Sequence, residues 1–199
     1  MMRHRLRYGP LVFRDPLLLC GALYVLLYFD ASGFLRLGLL AAFLHEWGHI
    51  GAYLALFGQF PVIEVTLTGF CMRTRGREMT LWQTALLAAA GPAVNFVLAG
   101  LWMLRLEQRA TIRASAFLAA NLLTGAFNLL PIPPLDGYHL VNDLLFKGKL
   151  QLKRQAFVIA QIVLIFIFMS GALDQFLSKA IFAVYEFFLK GFLAVFGLS

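Results

Sequence analysis

Residues 43–54, FLHEWGHIGAYL, set two histidines and a glutamate inside a long apolar run. His45 and His49 are four residues apart, which on a helix stacks both imidazoles on one face, near enough to grip a single metal ion. Glu46 stands beside the first of them and could take a proton from a water held on that metal, the HExxH arrangement of metal-assisted hydrolysis. A second reading stays open at this point: two neutral imidazoles hydrogen-bonding across a helix bundle. The apolar surroundings weigh against it, because a glutamate in hydrocarbon is costly and its presence is first an indication of function. Gly48 and Gly51 lie three apart and suit the close approach of a neighbouring helix. Trp47 points to another face, toward core or lipid.

Two ligands do not complete a catalytic zinc site, which takes three from the protein and leaves the fourth position to water. The candidate third ligand is Asp136, in NLLPIPPLDGYHL, where three prolines close an apolar span. Such a stretch cannot be regular helix, and irregular backbone near a membrane is tolerated only where it is packed in protein or lines a wet cavity. Gly137, next in sequence, permits close approach. Alone, Asp136 reads equally as a turn or N-cap residue. Beside an HExxH that lacks a ligand, metal binding becomes the stronger reading.

Three stretches, HEWGH at 45–49, GPAVN at 91–95 and NLLPIPPLDG at 128–137, resemble in order the signatures of the site-2 protease family of intramembrane zinc metalloproteases. The resemblance covers roughly residues 33–146. It implies one Zn2+ per chain held by His45, His49 and Asp136, with Glu46 as general base. Asn95 matches the family's asparagine on the middle core helix, which implies a place near the active site or substrate; an interhelical hydrogen bond is an equal alternative. His139 fits the Gly-x-His ending of some members, either supporting the metal ligands or lying on an interfacial helix. The resemblance also implies a membrane-associated β-hairpin between the first two core helices, a transmembrane protein as substrate, and a prokaryotic cytoplasmic membrane as location. With no room for an inserted PDZ-like or appended nucleotide-sensing domain, a minimal core is expected. Substrate choice then falls to the hairpin, the extra helices or a regulatory membrane partner.

The elements that must position these residues follow from composition. The 199 residues are 61% hydrophobic, with 20 Phe, only 14% charged residues and a mean hydropathy of +0.79. A soluble domain would carry about 25% charge. Apolar runs at about 16–29, 33–57, 81–104, 112–130, 156–173 and 176–197 predict an all-α polytopic membrane protein of about six transmembrane helices. Three of them form the catalytic core. The first run is short, its upstream boundary open as far as Leu11–Phe13; the last crosses the bilayer or lies along its surface. Residues 60–72 instead alternate Glu64, Thr66 and Thr68 with apolar residues, a strand pattern. Thr80 is a plausible N-cap of the third span. The domain reading is a single integral-membrane protease domain over 1–199, with a core at about 33–146, a β-hairpin at about 60–75 and C-terminal helices at about 156–197.

The net charge of +7 carries no basic stripe with interleaved aromatics, so no nucleic-acid partner is expected. It sorts by topology instead. With six spans and the N-terminus inside, twelve Lys/Arg residues fall on inner segments and five on outer ones, placing both termini in the cytoplasm, although the outer link RLEQRATIR opposes this. The basic N-terminus lacks a cleavage site and leads into a retained helix. Cys20 and Cys71 are too far apart for a metal-type spacing and read as small apolar fillers. The expected activity is hydrolysis of a peptide bond within or beside a transmembrane segment, after the substrate helix unwinds against a hairpin edge. The metal would lie roughly 12 Å from the inner end of the second span. Two other classes remain: a catalytically idle relative that binds membrane proteins, and a metal transporter. Intact Glu46, His45, His49 and Asp136 oppose the first; the lack of repeated ligands on other spans opposes the second.

Overall fold

The N-terminal residues pair as strands before any helix begins. In the computed structural model, which describes residues 5–66, 69–73, 78–108, 111–150 and positions 155, 158–160, 162, 163 and 186, strand β1 (Arg5–Tyr8) turns at Gly9 into antiparallel β2 (Leu11–Arg14). Gly9 has φ +58, a left-handed conformation that costs glycine little. Strand β2 runs parallel to β3 (Val62–Thr66), which pairs antiparallel with β4 (Gly69–Arg73), giving a sheet of order β1-β2-β3-β4. The hairpin expected at about 60–75 is therefore half of a larger sheet. Leu11–Phe13, left open as the head of the first span, form a strand instead. Pro16 is the reason: its ring bars the preceding residue from the α region, and the helix starts at the proline itself.

Helix α1 (Pro16–Tyr28) has 13 residues, and free Cys20 is exposed on it rather than serving as a buried filler. Helix α2 (Phe34–Phe57) follows with 24. The Asp30 carboxylate accepts from the backbone N–H of Leu35 (3.3 Å) and Arg36 (3.0 Å), neutralising two of the donors that a helix start leaves unpaired. Gly58, at φ +65, closes the other end through its N–H to the Leu54 carbonyl. Helix α3 (Leu81–Gln108) opens on a reciprocal cap: Thr80 Oγ1 accepts from the Gln83 N–H and Gln83 Oε1 from the Thr80 N–H. Helices α4 (Ile112–Asn128) and α5 (Asp136–Leu145) complete the described elements, separated by the non-helical proline turn at 129–135. Asp136 is the first residue of α5, after Leu135 as N-cap, and α5 carries His139 on a short helix between the fourth and fifth predicted spans.

Helix α3 is central, packing on α2, α4 and α5. Gly48 of α2 meets the backbone of Ala90 and Gly91 so closely that a Cβ there would stand 2.5 Å from the Ala90 oxygen; at Gly51 no described residue comes within 4 Å. On the other side of α3, Ala99 packs with Leu118 and Leu122 of α4, ringed by Phe96, Trp102 and Met103. Outward faces carry large exposed apolar side chains, among them Leu17, Tyr24, Trp47, Trp82, Val97 and Leu101. Among the described residues one helix, over Leu81–Arg105, is long and apolar enough to cross a membrane. Helix α2 is long enough, about 36 Å at 1.5 Å per residue, but its polar site residues dilute its apolar character. The runs predicted at about 156–173 and 176–197 lie outside the described residues, save the few positions named above.

Candidate metal centre

Helix α2 brings His45 and His49 onto one face, their rings edge to face with centroids 4.8 Å apart. The proline turn brings Asp136, 91 residues beyond His45 in the chain, to the same point. Gly137 makes this approach possible, because a Cβ there would collide with the backbone of Leu129 and Leu130. Three atoms converge: His45 Nε2 to Asp136 Oδ2 is 3.0 Å, His49 Nε2 to Asp136 Oδ2 3.3 Å, and the two Nε2 atoms are 3.1 Å apart. This trio is the one group of metal-type donors found among the described residues.

The far side of each ring decides what these atoms are. His49 Nδ1 lies 2.8 Å from the Leu87 carbonyl oxygen, which can only accept, so Nδ1 carries the proton. Pro92 sits in this turn of α3 without an N–H for the Ala88 carbonyl, which loosens the helix ladder beside Leu87. His45 Nδ1 lies 2.6 Å from Asn95 Oδ1, again an acceptor. Both Nε2 atoms therefore present lone pairs, and Asp136 adds a carboxylate oxygen. Three lone pairs within about 3 Å of one another repel unless a cation joins them.

The dimensions suit zinc. A tetrahedron with arms of about 2.0–2.1 Å has edges of about 3.3–3.4 Å, and the three donors need move little to reach it. Gly91, the first residue of GPAVN, leaves the space: a Cβ there would stand 2.7 Å from Nε2 and Cε1 of His45 and closer still to Nε2 of His49. Any side chain at 91 would occupy the position between the imidazoles. The residues present fit a bound zinc ion.

Glu46 is half-buried beside the trio, and its carboxyl interacts electrostatically with His49, His45 and Asp136. Asn95 is fully buried against His45, which joins the two alternatives of the sequence reading: it makes an interhelical hydrogen bond, and that bond ends on a candidate ligand. His139 is exposed with its ring against Tyr138, and it is not among the converging donors. One residue at the site escaped the sequence reading. Asn121 of α4, also fully buried, accepts from Asn95 Nδ2 at 3.0 Å. An asparagine amid the apolar residues of 117–123 was the available signal, since a buried amide must find partners.

The sequence profile of peptidase family M50 matches residues 103–170, a stretch that includes Asp136 but not His45–His49. The chain is 33% identical over 125 residues to YwhC of Bacillus subtilis (strain 168), a protein provisionally named a zinc metalloprotease. That match covers 56% of this chain and 57% of the relative, so the chain spans little more than half the length of that relative. Among solved structures, the fold resembles the site-2 protease from Methanocaldococcus jannaschii, with a TM-score of 0.56 and 19% identity over 90% of this chain and 91% of that one.

Proposed function

This chain belongs to the site-2 protease family, peptidase family M50, and on that premise we propose that it is a zinc-dependent endopeptidase cleaving a peptide bond within or near a transmembrane segment of another membrane protein. The observation that carries the reading is the convergence of His45 Nε2, His49 Nε2 and Asp136 Oδ2 as three lone pairs, with the Glu46 carboxyl beside them. These three residues would hold one zinc ion. When bound there, zinc polarises the scissile carbonyl and makes a water acidic enough to attack near neutral pH.

The chain's own groups do the rest. Glu46 accepts a proton from the attacking water and delivers it to the leaving amine nitrogen. Its position three residues before His49 keeps it on the metal side of α2. The exposed apolar faces of α1, α2 and α3 sit in the bilayer, so the chemistry proceeds at membrane depth. Both chain termini lie on the cytoplasmic side, and the arginine-rich sheet faces that leaflet. Strand β3 has both neighbours in place, so an unwound substrate segment pairs with an outer strand of the sheet, β4. Partners are the substrate, the bilayer and a regulatory membrane protein that helps choose the substrate.

The test is cleavage of a reconstituted transmembrane substrate. Glu46→Gln keeps about one zinc per chain by metal analysis and loses about 10²–10⁴-fold in cleavage rate. Full cleavage by Glu46→Gln would sink the mechanism.

A further inference from the structure

Asn95 and Asn121 are both fully buried, on α3 and α4. An amide's two ends are told apart by partners whose polarity is fixed. The Phe117 carbonyl can only accept, so Asn121 turns Nδ2 toward it at 2.9 Å and presents Oδ1 to α3. The Ala41 carbonyl of α2 also only accepts, so Asn95 turns Nδ2 toward it at 3.1 Å, and the same NH2 group gives its second hydrogen to Asn121 Oδ1. All that Asn95 has left for His45 is Oδ1, 2.6 Å from the ring Nδ1. Only an N–H at Nδ1 satisfies that contact, and the neutral imidazole then has its lone pair at Nε2.

We propose that Asn121 is a positioning residue of the metal centre: through Asn95 it fixes which ring nitrogen of His45 carries the proton, so that Nε2 faces the metal as a lone pair. The direction runs from two backbone carbonyls, on α2 and α4, through two amides to one imidazole. If Asn121 lost its oxygen, only the Ala41 carbonyl would hold the Asn95 amide. A flip of that amide would turn NH2 toward His45, move the ring proton to Nε2 and spoil the ligand. Three helices thus agree on one tautomer, and Gly125, whose missing Cβ brings α4 against Asn95 and Phe96, keeps Asn121 in reach. The inference rests on the zinc reading above, but its first test does not need the metal.

The experiment uses the full chain in detergent with 15N-labelled histidine, His45 being assigned by difference from His45→Gln. In the metal-free wild type at neutral pH, His45 shows the Nδ1–H tautomer. Asn121→Leu gives a mixture of tautomers, and its zinc affinity, read by chelator competition, falls by about 10–100-fold. Asn121→Asp restores both, because a buried neutral carboxyl accepts from Asn95 and donates to the Phe117 carbonyl. In the Asn95→Leu background, Asn121→Leu produces no further loss of zinc affinity, as expected of a residue acting through another. A wild-type His45 protonated at Nε2 would overturn the proposal without any variant. So would wild-type tautomer and affinity in Asn121→Leu, or independent losses in the double variant. A tautomer that obeys Asn121 in a wild type that binds no zinc would strike the proposed function alone and leave the relay standing.

Discussion

Asp136 and Glu64 are both carboxylates drawn into the protein, and they meet opposite company. Glu64, buried on β3, lies between Arg14 of β2, at 3.3 Å, and Arg73 of β4, at 3.0 Å. A guanidinium is always protonated and can only donate, so Glu64 is neutralised from within the sheet. Asp136 faces two imidazole nitrogens whose protons are held on the far side of each ring, by Asn95 and by the Leu87 carbonyl. Among the described residues its surroundings add lone pairs and no cation. The first arrangement is complete in itself and pins three strands together. The second is complete only with a cation from outside, and this difference, more than burial or the presence of histidines, distinguishes a metal site from a structural ion pair.

The comparison can be broken at either end. The largest effect is the loss of cleavage in Glu46→Gln described above, with zinc retained. Next, Gly91→Ala sets a methyl group between the two imidazoles, so zinc content by metal analysis drops from about one per chain toward zero, with overpacking costing about 1–3 kcal/mol. Gly51→Ala, where no described residue lies within 4 Å, serves as the control and leaves zinc content unchanged. At the sheet, Glu64→Gln leaves two arginines without a counter-charge. Because Arg73 and Arg14 are partly solvated, the loss measured by thermal unfolding in detergent is roughly 1–3 kcal/mol, below that of a fully buried pair, and zinc content does not change.

The smallest effect is at the start of α2. Burial pushes the Asp30 carboxyl up, but the backbone N–H groups of Arg36 and Leu35 and the Ser32 hydroxyl outweigh it and hold the group below its ordinary range. A lowered folded-state value means that its contribution is present above the unfolded value, about 3.9, and disappears as pH falls through the folded one. Stability should therefore be flat in this respect from pH 5 to 8. The acid limb below about pH 4 should be shallower in Asp30→Asn, by thermal unfolding across a pH series.

Much of the site was legible because its chemistry is local or carried by rare residue types. The i, i+4 histidines and the proline-rich turn before Asp136 each announce themselves within a dozen residues, and the structure brings them within 3.3 Å. Helix α2, expected at about 33–57, is found at Phe34–Phe57, since apolar runs bounded by Gly33 and Gly58 leave little choice. Strands β1 and β2 were not legible. Four-residue strands are held by partners rather than propensity, and β2 finds its parallel partner β3 about fifty residues away. Asn121 was missed for a related reason: its meaning lies in Asn95, 26 residues earlier, and in the carbonyl of Phe117. Helix α5 was legible only as one of two settings for His139, because DGYHLVNDLL is too short and too polar to stand out as a span.

Whether three converging lone pairs make a zinc site is decided by metal analysis of the chain purified without chelator. The expected result is about one zinc per wild-type chain, unchanged in Glu64→Gln, and at least about tenfold weaker binding in Asp136→Ala, which removes one of three protein ligands. A zinc-free wild type, or an Asp136→Ala variant that holds zinc as tightly as wild type, would contradict it.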